Sequence, residues 1–177
     1  MNYISRIGLL IVGSIMLSFS ILAAELEGIA VIDVEAAILS TEVSKQAFEE
    51  LSNSKEWKEV SEGFQLKVNE AQEIAQNVQK DGTTMSDEEK LESQKRLRSL
   101  EQDANFMNQK LQQMRNELVQ GLQQEQAPKV QKVLTELMRA KGIKILLQRS
   151  AVLGWDQGDP SLNITPEVVE LLNQKEE

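Results

Sequence analysis

Apolar positions divide the chain into a long middle, where they recur every three or four residues, and two ends, where they fall in short runs. The strongest periodicity is Leu97, Leu100, Ala104, Met107, Leu111, Met114 and Leu118. These residues alternate steps of three and four, the heptad seam of a helix that pairs with another. Upstream, Val43, Ala47 and Leu51, then Val60, Phe64, Lys67 or Val68, Ala71, Ile74 and Val78, hold a helical period from about Val43, with no proline and only Gly63 to interrupt it. Asp81-Gly82-Thr83-Thr84 breaks that run, and Ser86 followed three positions later by Glu89 restarts it with capping-box spacing. The pattern predicts a helical hairpin over 43–127 with its turn near 81–86. At about 1.5 Å per residue, runs of roughly 37 and 40 residues make arms about 55–60 Å long, which cannot fold into a ball.

The two ends read differently. Gly28-Ile29-Ala30-Val31-Ile32-Asp33 suits a buried strand, and Val34 to Leu39 a short helical segment. Pro128 lacks an N–H and is expected to kink or restart the second long helix, which places the join between arm and body there. Beyond it, Val130, Val133, Leu134, Leu137 and Met138 form an apolar helical face closed by Arg139, Lys141 and Gly142, a helix-stop pattern. Ile143 to Leu147 and Val152 to Trp155 are strand candidates. Thr165-Pro166-Glu167 opens a last helix with Thr165 as cap, carrying Val168, Val169, Leu171 and Leu172. Segments 25–42 and 128–177 must therefore meet to bury these faces, giving an α+β chain with about three short strands. Such a core is marginal for one chain, and oligomerisation is the natural remedy.

Ahead of this lies a different segment: Met1 to Arg6 with one Arg, an apolar run from Ile7 to Leu22, then Ala23-Ala24 before Glu25. Residues 1–24 read as a secretory signal peptide, the run being slightly short of the roughly 17–25 residues of a spanning helix, with an uncleaved membrane anchor as the alternative.

Composition narrows the chemistry. The chain has no Cys and no His, so the commonest general base, metal ligand and thiolate nucleophile are missing. No enzyme, cofactor or metal site is expected. A net charge of -9 argues against nucleic acid, whose binding rests on Lys and Arg neutralising phosphates. Clusters such as Glu49-Glu50 and Asp87-Glu88-Glu89 read as solvated helix faces. Asp156-Gln157-Gly158-Asp159 reads as a turn without the ligand alternation of a calcium loop. Among apolar residues, Met107 and Met114 belong to the seam, while Trp57, Met85 and Phe106 lie off it and are the candidate contacts for a bound partner; Phe48 and Leu66 are further apolar footholds.

Taken together, Gly28-Ile29-Ala30-Val31-Ile32-Asp33, Lys141-Gly142-Ile143-Lys144-Ile145-Leu146-Leu147, Ala151-Val152-Leu153 and Asn163-Ile164-Thr165-Pro166-Glu167-Val168-Val169 resemble the Skp/OmpH family of periplasmic chaperones, in the family's order from Ile29 to Leu172. The resemblance implies a jellyfish-like homotrimer: a small β body from which three helical hairpins hang around a cavity. Unfolded outer-membrane proteins would be held in that cavity without ATP, in the periplasm. Carried onto this chain, the trimer body would use Ile29, Val31, Ile38, Ile143, Ile145, Leu147 and Val152, and unfolded clients would meet Trp57, Met85 and Phe106. Membrane or lipopolysaccharide contact, which the family links to basic hairpin tips, is not carried over. Here the tip mixes Lys80, Lys90, Lys95, Arg96 and Arg98 with Asp81, Asp87, Glu88, Glu89 and Glu92. An exported coiled-coil adaptor that joins envelope components shares every helical feature and is the alternative from another class.

Overall fold

The computed structural model of the protein describes residues 28–156 and 158–174, so the signal-peptide expectation for 1–24 lies outside the described residues. The elements are β1 (Ile29–Ile32), α1 (Val34–Leu39), α2 (Glu42–Asn53), α3 (Lys55–Asp81), α4 (Asp87–Lys141), β2 (Ile145–Gln148), a single 3-10 turn at Arg149–Ala151, and α5 (Thr165–Gln174). This is the expected helical arm on a small β body.

The body forms where the two ends of the chain meet. β1 and β2 are parallel, with Ile29 opposite Ile145 and Ile32 opposite Gln148. On its other side β1 meets the segment before α5: Val31 N–H donates to the Leu162 carbonyl (2.6 Å) and Ile164 N–H to the Val31 carbonyl (3.1 Å). The Asp33 N–H donates to the Thr165 hydroxyl (3.0 Å), clasping the end of β1 to the start of α5. Around this frame Ala30, Ile32, Ala37, Ile38, Leu122, Val130, Val133, Leu137, Ile164, Val168 and Leu172 make one buried cluster. β1, α1, α4 and α5 line it, with Ala47 and Phe48 of α2 on its margin and Leu146 reaching it from β2.

Several local expectations are corrected. The helix expected from Val43 onward is two helices, because Ser54 is extended (φ -62, ψ 146) and its side chain accepts the Trp57 N–H. Ser54 thus ends α2 and caps α3, a signal carried by a serine ahead of Lys55-Glu56. Pro128 does not restart the second helix: α4 runs from Asp87 to Lys141 with Pro128 inside it. An interior proline costs about 3 kcal/mol. Here it is exposed, while Leu122, Val130, Val133 and Leu137 on either side are buried in the body and hold the helix in place.

The strand expected at Ile143 begins at Ile145. Gly142 takes the left-handed conformation (φ 68) and the Ile143 N–H donates back to the Met138 carbonyl (2.9 Å), so Ile143 belongs to the close of α4. Val152–Trp155 is not a strand. The Val152 N–H is taken by the Arg149 carbonyl (3.2 Å) in a turn, and the sheet has two strands plus a single bridge from Val31 to Asn163. Thr165 does not cap its own helix: its N–H donates to Asn163 Oδ1 (3.1 Å), and its hydroxyl serves Asp33.

Candidate functional site

The arm is α3 lying antiparallel along the first part of α4. No residue of α3 is buried, and of α4 before Leu122 only Leu100 is. An element buried along one seam and open elsewhere is a two-helix coiled coil without a wider core. Over 27 residues α3 spans about 40 Å, and the whole of α4, at 55 residues, about 80 Å. The same α4 is thus arm at one end and body core at the other.

The seam is flanked on one side by three ion pairs between the helices: Lys67 with Asp103 (3.5 Å), Lys110 with Glu56 (2.8 Å), and Arg96 with Glu70. Exposed pairs of this kind each contribute little, on the order of 0–1 kcal/mol, but together they fix the register of the hairpin. At the tip, Ser86 and Glu89 form the expected capping box: the Ser86 N–H donates to Glu89 Oε2 (2.7 Å) and the Glu89 N–H to the Ser86 hydroxyl (3.3 Å). Those bonds from the Ser86 N–H, and secondly from its hydroxyl, hold the Glu89 carboxyl below its ordinary value.

The partner-contact candidates separate in space. Phe106 is 68% exposed, and Leu66, on α3, is 67% exposed. Trp57 is half-buried. Gly63 approaches Met107 and Lys67 pairs with Asp103, which sets the axial register between the helices. Leu66 comes one residue before Lys67, and Phe106 one before Met107. Lys67 stands on the ion-paired flank, and Phe106, three residues after Asp103, stands on that flank of α4, so both Leu66 and Phe106 lie on the ion-paired side of the hairpin. Trp57, seven residues before Phe64 and half-buried like it, shares the seam stripe of α3 rather than the exposed side that carries Leu66. Trp57 and Phe106 therefore do not share a face. Met85 is half-buried at the tip, beside Ile74, Glu89, Glu92, Ser93 and Arg96 around an open hollow of about 450 Å³.

The residues expected in the assembly surface also divide. Val31 and Ile38 are 4% and 3% exposed and pack inside the protomer. Ile29, Ile143 and Val152 are half-buried. Ile145 (52% exposed) and Leu147 (36%) alternate along β2, whose far edge carries no strand among the described residues. Leu153, fully exposed, extends the apolar run beyond β2. The Arg149 guanidinium stands 5.4 Å from the Trp155 ring and 3.8 Å from Asp33, a contact that no spacing in the sequence points to. No cluster of acidic groups among the described residues is arranged to hold a metal ion, and no described helix is long and apolar enough to cross a membrane.

A comparison with curated protein sequences finds no match. Among solved structures the chain is similar to a candidate outer membrane chaperone (OmpH-like) from Caulobacter crescentus. The two share 19% identity over 85% of this chain and 86% of the other, with a TM-score of 0.46. The family model for outer membrane protein (OmpH-like) matches residues 28–172, from β1 through the arm and into α5, and the chain belongs to that family.

Proposed function

We propose that the protein is an ATP-independent holding chaperone of the periplasm. It binds unfolded outer-membrane proteins between helical arms and keeps them from aggregating. The observation that carries this reading is the arm itself, a long hairpin closed along one mostly half-buried seam, which leaves large apolar residues such as Phe106 open to solvent. A surface of this kind offers many weak contacts and no deep pocket, which suits a chain without fixed shape better than a folded ligand.

The cavity requires several arms, and the β body supplies the means of bringing them together. An open strand edge with Ile145 and Leu147 exposed is a template for pairing with another copy. Three protomers joined there, as the family resemblance implies, place three arms around one space.

The test is dilution of a urea-unfolded β-barrel membrane protein into buffer without nucleotide, with turbidity as the readout. Suppression at about one trimer per client is the expected result, together with recovery of the protein in the periplasmic fraction. Aggregation unchanged by equimolar protein would overturn the reading, and capture of one folded envelope protein instead would favour the adaptor alternative.

A further inference from the structure

We infer that Leu66 and Phe106 form a foothold for unfolded segments in which a Lys or Arg stands beside apolar residues, so that this protein selects basic stretches of its clients and repels acidic ones. The inference rests on the holding reading and assigns the contact within it. Leu66 and Phe106 are each about two-thirds exposed, on one side of the arm and within two residues of the same level by the register that Gly63–Met107 sets. Two side chains of this size offer a few hundred Å² at most, well below the ~800 Å² per partner of a stable folded interface. Their area therefore fits a transient hold on an extended chain.

Charge decides which chain. Glu62 and Glu73, four residues before and seven after Leu66, lie on its side of α3, and neither forms an ion pair among the described residues. Glu59 and Glu70 lie on the same side, paired with Lys55 (3.6 Å) and Arg96. The nearby lysines Lys67 and Lys110 are already engaged by Asp103 and Glu56. An apolar pair bordered by unpaired carboxylates attracts a cation next to a hydrophobic side chain, an attraction that salt screens.

The experiment uses fluorescently labelled, unstructured 15-residue peptides of alternating Leu and Thr flanked by either Lys or Glu. Their binding to the purified exported protein is followed by anisotropy. The Lys-flanked peptide is expected to bind at least tenfold more tightly at low salt, with the difference vanishing near molar NaCl. E62Q/E73Q should remove most of the difference, and L66Q/F106Q should weaken both peptides at least fivefold without lowering the thermal midpoint. Equal or tighter binding of the Glu-flanked peptide would overturn the proposal. So would unchanged binding by L66Q/F106Q, or a loss of oligomer mass in that variant, which would make the patch a contact between copies. If the Lys peptide binds as expected while β-barrel aggregation is not suppressed, the holding function fails and the site stands.

Discussion

Gly63 faces Met107 across the arm: a Cβ on Gly63 would stand 3.1 Å from the Met107 methyl and 3.2 Å from its sulfur. The glycine, unfavourable in a helix by about 1 kcal/mol, is the point of close approach of the two helices. Because the atom it meets is the end of a flexible thioether, Gly63→Ala should leave stability within about 1 kcal/mol of the parent, the gain in helix propensity offsetting the small displacement. Gly63→Leu would wedge the seam and cost about 1–3 kcal/mol. Urea unfolding followed by circular dichroism checks both, and a Leu variant as stable as the parent would mean that the helices do not touch there.

Leu100 is the arm's one buried side chain before the body begins. Leu100→Ala is expected to cost about 2–5 kcal/mol at that point. The loss should be local. Amide exchange should accelerate in α3 and in α4 from about 93 to 107, while β1 and α5, clasped through Asp33 and Thr165, keep their protection. Equal loss in β1 would show that arm and body open as one unit.

The capping box at the tip gives a pH dependence of definite sign. The Glu89 carboxyl is held below its ordinary value by Ser86, so the charged form is favoured when the helix is folded. Its contribution is complete above the ordinary glutamate range near about 4.3 and is lost as pH falls through the lower folded value. The Ser86 amide resonance should therefore move only below that range. It should stop moving with pH in Glu89→Gln, and Ser86→Ala should fray the start of α4, at a cost of about 1 kcal/mol.

The edge of β2 gives a prediction about assembly. Ile145 is half exposed in the protomer, so Ile145→Lys should leave β1, α1 and α5 folded while placing a charge where another strand would pair. Light scattering should report about three chains for the parent and one for the variant. A parent that is monomeric at micromolar concentration would remove the trimer and the cavity with it.

How much of this was legible beforehand differs from element to element. The hairpin, its turn, the Ser86–Glu89 cap, the Gly142 stop and the strand at Ile29 were all readable. Each is fixed by neighbours a few residues away, through heptad spacing, side-chain capping and the φ freedom of glycine. The fate of Pro128 was not readable, because a local rule against proline is overridden by the burial of Leu122, Val130 and Val133 in a body built from the far ends of the chain. Likewise Val152–Trp155 has strand composition, but the Val152 N–H is taken by the Arg149 turn, and the segment that joins β1 instead is 162–164. The candidate contacts divide on the same principle. Their apolar character was plain in the sequence, but only antiparallel pairing of α3 with α4 decides that Phe106 joins Leu66 on one exposed side while Trp57 stays half-buried on the seam stripe, since a side chain's face is fixed by what its helix packs against.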